Sequence, residues 1–349
     1  MRHLQYRFIP LLVLLVLFSS CPAFGKVYID IDSPSFQKFP IAVTEFKPLK
    51  PAADKGELPV WFADTLARDL TITGYFQVLD RRAFLEDPKA GITAEATRFE
   101  EWTVIGAEYL IKGGFQADRG ELITEFRLFD VVRGEMVVGK RYAGKPEDRS
   151  RMVTQFVSEV LLALTGEAGL FDTKIAFVRK GETPADIYTI NFNGTDLRRI
   201  TNEKALTLSP RWSPDGRFLA FTSYREGNPD IYLHDLINGA TRKLAFYPGL
   251  NLPGSWSRDS SRLLVTLSRD GNQEIYVMGS DGSNPTNVSN SPKSIEGLAD
   301  WSPNGQRMVL YSTRPGNKDV FLMDLATGRW TNLTNDPASD EFSTWSPLQ

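Results

Sequence analysis

Hydrophobic and polar positions in the second half of the chain follow one scheme several times over. In the clearest copy, Ser213-Pro214-Asp215-Gly216 is a turn, since Pro fixes φ and Asp and Gly accept tight backbone geometry. Arg217–Ser223 then reads as a largely buried strand, Arg225–Pro229 as a loop and Asp230–Leu236 as a second strand. Asn238-Gly239 supplies a hairpin turn, because both positions tolerate positive φ, and Thr241–Leu244 pairs back as an outer strand. Two markers keep the copies in step. Trp212-Ser213-Pro214 recurs at Trp256, Trp301 and Trp345, at spacings of 44, 45 and 44 residues. Asp186-Ile187-Tyr188 recurs as Asp230-Ile231-Tyr232, Glu274-Ile275-Tyr276 and Asp319-Val320-Phe321, each acid 18 residues after its Trp where a Trp precedes it. Two markers sharing one period exclude coincidence, and such a period with four strand-like segments is that of a β-propeller blade. A sheet apolar on both faces must stack on another sheet, which radial repetition provides. The recurring Trp, Tyr and Phe are read as wedges between blades.

The first half lacks the repeat and alternates strands with helices. Val27–Asp32 alternates apolar and polar residues, and Phe39–Phe46 reads as a buried strand. Pro59–Ile72 is a helix with Trp61/Phe62, Leu66 and Leu70 at helical spacing. Phe76–Asp80, Glu108–Phe115, Glu121–Asp130 and Met136–Tyr142 are strands. Pro146-Glu147-Asp148 opens a last helix with an apolar stripe of Met152, Phe156, Val160 and Leu164, ended by Gly166 and Gly169. The expected architecture is an α+β domain over 26–168 followed by an all-β propeller of WD40-like repeats over 169–349, with about four blade units beginning at Ile175, Phe218, Arg262 and Arg307.

Residues 1–25 stand apart. Arg2 and Arg7 precede an apolar run, Phe8–Phe18, and Ala23-Phe24-Gly25 offers small residues for cleavage before Lys26. This is the pattern of a secretory signal peptide. Cys21, the one cysteine of the chain, follows Phe18-Ser19-Ser20, a poor version of a lipid-attachment sequence, and cleavage after Gly25 is the favoured reading. Cleavage leaves no thiol for a disulfide or a metal site.

Charge narrows the partners. The chain carries 40 basic and 43 acidic residues, a net −3, with no Lys/Arg cluster, so neither nucleic acid nor anionic lipid is an expected partner. Candidate catalytic chemistry is sparse. His234 is the one histidine beyond the leader and aligns across the repeat with Ile190, Met278 and Met323, an apolar slot. The acids Asp186, Asp230, Glu274 and Asp319 could be imagined as metal ligands, but their constant place at a loop-to-strand junction points to backbone hydrogen bonding. No glycine-rich phosphate loop, HExxH or GxSxG is present. The expectation is a binding protein with no catalytic, metal or cofactor site; the competing class is a propeller hydrolase with a site at the channel mouth.

Taken in order, the leader, Val27–Asp32 running on to Phe39–Val43, the α/β domain, Lys174–Val178 and the WSPDG-type repeats resemble the TolB family of the Tol–Pal system in Gram-negative envelopes. That resemblance implies a periplasmic scaffold without cofactors, associated with membranes only through partners. Its N-terminal segment would engage a TolA-like inner-membrane protein, here through Val27, Tyr28, Ile29, Asp30, Ile31 and Asp32. Its propeller would bind a Pal-like peptidoglycan-associated lipoprotein. It also implies roles in outer-membrane integrity, constriction at cell division and bacteriocin import. The family's propellers have six blades, two more than the units counted here. By the family's pattern, Trp345-Ser346-Pro347 would supply the inner strand that completes the first unit.

Overall fold

The computed structural model describes residues 37–346 apart from 51–55, 88, 168 and 182–183. The leader, Cys21 and Val27–Asp32 lie outside the described residues. The chain divides into two compact units between Asp172 and Thr173.

In the first unit the elements run β1 (Phe39–Val43), β2 (Lys47–Pro48), α1 (Leu58–Ile72), β3 (Phe76–Val78), α2 (Phe99–Val104), β4 (Tyr109–Asp118), β5 (Glu121–Asp130), β6 (Glu135–Gly144) and α3 (Arg149–Thr165). One sheet is ordered β3-β1-β4-β5-β6, with β2 continuing along β4. Pairing is parallel from β3 to β4 and antiparallel from β4 to β6. Helices α1 and α3 pack on each other, and the sheet contributes Phe126, whose ring lies 4.9 Å from Phe156 of α3. Phe62 of α1 lies 6.0 Å from the same ring. Each such large apolar side chain, fully buried, contributes roughly 1.5–3 kcal/mol. The stripe of α3 is wider than Met152, Phe156 and Val160: Val153, Val157 and Leu161 are buried too, while Leu164 is only half-buried. Gly166 ends the helix in the left-handed conformation at φ +78°, its N–H donating to Leu162. Helix α2 was not legible, because six residues give no measurable period; Trp102 anchors it in a core with Leu110 and Phe129. Strand β1 ends at Val43, short of Phe46.

Among the described residues the second unit holds four sheets, each antiparallel and in sequence order. The first has three strands, β7 (Lys174–Arg179), β8 (Asp186–Asn191) and β9 (Arg198–Arg199). The second comprises β10 (Thr207–Trp212), β11 (Phe218–Ser223), β12 (Asp230–Asp235) and β13 (Thr241–Ala245). The third is β14 (Asn251–Trp256), β15 (Arg262–Leu267), β16 (Glu274–Gly279) and β17 (Thr286–Asn287). The fourth is β18 (Glu296–Trp301), β19 (Arg307–Ser312), β20 (Asp319–Asp324) and β21 (Trp330–Asn332). Neighbouring sheets share cores: Ala220, Ile231 and Leu233 of the second meet Trp256, Val265 and Met278 of the third. Leu264 and Ile275 of the third meet Trp301, Met308 and Phe321 of the fourth. The repeated aromatics are therefore wedges between blades, as the period required.

The Ser-Pro-Asp-Gly turns are closed by their own side chains. Ser213 Oγ donates to Asp215 Oδ1 at 2.5 Å and accepts from the Phe218 N–H at 2.8 Å. Ser257 with Asp259 and Arg262, and Ser302 with Asn304 and Arg307, repeat the arrangement. Hydrogen bonds from the Ser257 hydroxyl, the largest cause, and from the Ser261 hydroxyl and N–H hold the carboxyl of Asp259 down to about 2.

The last Trp segment departs from expectation. Among the described residues β7 pairs only with β8, and residues 341–346 form no strand. Trp345 instead lies against the fourth sheet, donating from its backbone N–H to Asp300 Oδ2 at 3.1 Å and from Nε1 to the Asp300 carbonyl at 3.2 Å. The reason lies in the repeat itself. An inner strand begins with an N–H donated to the residue just before the preceding sheet's marker acid: Thr207 to Ala185, Asn251 to Pro229, Glu296 to Gln273. Asp340 makes the same bond to Lys318. Residues 340–345 thus follow the course of a further inner strand stacked on the fourth sheet.

Candidate partner-binding rim

The marker acids sit where the sequence placed them, at the starts of β8, β12, β16 and β20, and all four are buried. Asp186 accepts from Thr201 Oγ1 at 2.9 Å and from Arg199. Asp230 accepts from Asn228 Nδ2 at 2.5 Å and pairs with Lys243 at 3.0 Å. Glu274 accepts from the Ser291 N–H at 2.7 Å and from Ser289 Oγ. Asp319 accepts from Asn317 Nδ2 at 3.1 Å and Asn332 Nδ2 at 2.6 Å. Their oxygens are engaged in tying strands and loops together. No group of three or more His, Cys, Asp or Glu side chains is placed to hold a metal ion among the described residues.

His234 lies on β12, half-buried, with Nδ1 2.9 Å from Thr241 Oγ1 on the neighbouring strand. Burial lowers its pKa, against a smaller opposing effect of Asp235. Thr241 is the cross-strand neighbour of His234 on β13. A cavity of about 280 Å³ between inner strands is lined by Arg211, Ser255, Leu298, Asp300, Phe342 and Thr344 among others, and His234 does not reach it.

A second motif, which the Trp and acid spacings do not reveal, lies inside the period. Arg225-Glu226-Gly227-Asn228 recurs as Arg269-Asp270-Gly271-Asn272 and Arg314-Pro315-Gly316-Asn317, in the loops between the second and third strands of the last three sheets. Each residue has a job. The glycines turn the loop at φ +90°, +108° and +114°, a region costly for any residue with a Cβ. The asparagines tie the loop to the connection leading to the next sheet: Asn228 Nδ2 donates to the Tyr247 carbonyl at 3.1 Å. Asn272 Nδ2 donates to Ser291 at 2.9 Å and Ser294 at 2.5 Å, and Asn317 Nδ2 to Asp336 at 2.8 Å. The arginines stack on aromatic rings, Arg225 3.7 Å over Tyr232, Arg269 5.0 Å over Tyr276 and Arg314 3.6 Å over Trp330. Their side chains remain 30%, 30% and 34% exposed. The result is one rim of the second unit carrying guanidinium groups held rigid by cation–π stacking, with Glu203, Asp270 and Glu296 beside them. Pre-ordered Arg on aromatic supports suits recognition of a polar protein surface, because little side-chain entropy is lost on binding.

The family model described as the TolB beta propeller domain matches residues 162–348, more than half of the chain, and that of the TolB amino-terminal domain matches residues 27–137. The chain belongs to the TolB family. The Tol-Pal system protein TolB of Syntrophus aciditrophicus is 48% identical over 208 residues, 58% of this chain and 46% of that protein. That of Desulfosudis oleivorans is 42% identical over 201 residues, 57% and 46% of the two chains. The chain thus spans about half the length of these curated TolB relatives. The crystal structure of TolB from Acinetobacter baumannii matches with a TM-score of 0.73 at 23% identity, over 89% of this chain and 75% of that one. This likeness is one of fold, and it agrees with an α/β unit followed by propeller sheets.

Val27–Asp32, the segment expected to engage a TolA-like protein, falls within the amino-terminal family match but outside the described residues. Among the described residues no helix is long and apolar enough to cross a membrane.

Proposed function

We propose that this chain is a periplasmic, non-catalytic scaffold of the Tol–Pal system, exported by a leader cleaved after Gly25. In this reading Val27–Asp32 adds as an extended segment to the sheet of a TolA-like inner-membrane protein, through backbone hydrogen bonds. The second unit binds a Pal-like lipoprotein, with the rim of Arg225, Arg269 and Arg314 as its contact surface. The linkage supports outer-membrane integrity and constriction at division, and bacteriocins would exploit it for import.

The observation that carries this reading is the succession of both TolB family matches along the chain. It is supported by a rim of ordered arginines and by marker acids whose oxygens are occupied by structural bonds. The test is a pull-down from periplasm with the intact chain and with a form lacking residues 26–32. A Pal-like lipoprotein recovered by both forms, and a TolA-like protein by the intact form alone, is the expected outcome. Recovery of neither partner by the intact chain sinks the proposal.

A further inference from the structure

The groove between the third and fourth sheets is lined differently from the one between the second and third, and strand register shows how. In the earlier groove Phe218, Leu233 and Leu244 pack around Trp256. Arg242 closes it, Nη1 donating to the Asp281 carbonyl and Nη2 to that of Ser280, each at 3.1 Å. One sheet later the same register positions hold Arg262, Val277, Val288 and Thr286. Two leucines have become valines, and the closing arginine has become a threonine whose hydroxyl turns back to the Asn284 carbonyl at 3.2 Å. A cavity of about 460 Å³ lies there, lined by these four residues with Trp301 and Leu325 among others. That volume is within the range of small-molecule sites.

Arg262 is the one charged side chain of the lining among the described residues. Its guanidinium lies 5.2 Å over the Trp301 ring, and no carboxylate among the described residues is paired with it. The repeat supplies that carboxylate elsewhere. Arg307 pairs at 3.7 Å with Asp324, directly across the strands, and Asp235 at the same register position pairs with Arg217 at 2.9 Å. Across from Arg262 stands Gly279, where a Cβ would come within 2.6 Å of both Asp281 Oδ1 and Ser283 Oγ. The acids close by in sequence are engaged, Asp259 by the hydroxyls of Ser257 and Ser261 and Asp281 by the Ser283 N–H. An arginine held on an indole beside an apolar wall, without the acid its counterparts have, is suited to a carboxylate brought by a ligand.

We propose that this cavity binds a small carboxylic acid with an apolar tail. The carboxylate pairs with Arg262 as that of Asp324 does with Arg307, and the tail lies along Val277, Val288 and Leu325. Both ends are needed. A bare anion leaves the apolar wall in water, and a plain hydrocarbon or alcohol leaves the guanidinium without its counter-charge. Medium-chain fatty acids are the class that meets both conditions. Arg262 begins β15 and Gly279 ends β16, the opposite end of these strands from the loops that carry Arg225, Arg269 and Arg314. A bound acid therefore leaves that rim clear, and the site is independent of what the rim binds.

Calorimetric titration of the full chain with octanoate, octanol and acetate tests this. Octanoate should bind saturably, one per chain, and octanol and acetate each at least about tenfold more weakly, since one lacks the charge and the other the tail. Arg262→Gln should weaken octanoate by a similar factor. So should Val277→Leu/Val288→Leu, which restores the leucines of the earlier groove and fills the cavity. Melting curves matching the native chain's establish that the variants fold, and the comparison of the three ligands needs no variant. Absence of saturable octanoate binding overturns the proposal, as does equal binding by Arg262→Gln. Acetate binding as tightly as octanoate would reduce the site to an adventitious anion site, and octanol doing so would reduce it to an apolar groove; either result overturns it.

Discussion

The indole N–H of Trp256 donates to the carbonyl of Arg211 over 3.3 Å, joining the inner strands of two neighbouring sheets. One period later than Trp301, Trp345 makes the corresponding bond to Asp300 at 3.2 Å. At these two places a polar bond adds to the apolar wedge, whereas Trp301 Nε1 is buried with no hydrogen-bond partner among the described residues.

Trp256→Phe keeps most of the apolar wedge but leaves the Arg211 carbonyl without its donor. The expected loss is about 1 kcal/mol of unfolding free energy, measured by chemical denaturation. Trp212→Phe should cost less, because its Nε1 has no hydrogen-bond partner among the described residues. Equal losses in the two variants would assign the effect to packing alone.

Gly254 packs where sheets meet. A Cβ there would come within 2.9 Å of the Ala299 carbonyl oxygen and 3.0 Å of that of Leu264, both backbone atoms. Gly254→Ala should therefore force adjacent inner strands apart and lower stability by about 1–3 kcal/mol. A melting temperature equal to the native chain's would show that the strands yield freely.

Asn272 holds the rim loop through the carbonyls of Ser291 and Ser294. Asn272→Ala should cost about 1–3 kcal/mol for leaving those carbonyls unpaired. Amide exchange should quicken across 269–273 and 290–295 while the first unit is unaffected. Unchanged exchange in the rim would remove the tie assigned to Asn272.

Glu296 is fully buried, with Oε1 accepting from Ser294 and Ser312 and Oε2 without a hydrogen-bond partner among the described residues. Burial raises its pKa above the ordinary 4.5, more than the serine hydroxyls lower it. The folded chain then holds this proton more tightly than the unfolded chain does. Its contribution is complete below the unfolded pKa and is lost as pH rises through the folded value. Glu296→Gln should flatten stability as pH rises from 4.5 toward neutrality, and should raise it at neutral pH. Parallel stability curves for native and variant protein across that range would contradict the assignment.

Much of this was legible in the sequence because two markers share one period. Trp and the marker acid fixed the sheets, the turns and the aromatic wedges, and helical spacing found α1 and α3. Helix α2 escaped because one and a half turns carry no period, and its Trp102 is placed by tertiary packing. The rim motif was present in the letters at Arg225, Arg269 and Arg314, but only the structure puts each guanidinium on a ring and each asparagine on the next connection. The place of Trp345 could not be read, since the same Trp-Ser-Pro serves equally as the inner strand of the first sheet or of a further one. The structure places residues 340–345 on the fourth sheet, through bonds from Asp340 to Lys318 and from Trp345 to Asp300, while β7 pairs only with β8 among the described residues.

The central claim, that the second unit is a partner-binding surface of a Tol–Pal scaffold, is tested most directly by calorimetric titration. The purified Pal-like lipoprotein's soluble domain from the same cell would be titrated into the intact chain and into its Arg225→Ala/Arg269→Ala/Arg314→Ala variant. The account predicts saturable binding by the intact chain and at least about tenfold weaker binding by the variant, the equivalent of about 1.4 kcal/mol. No binding by the intact chain would contradict the scaffold reading, and equal binding by both would contradict the rim.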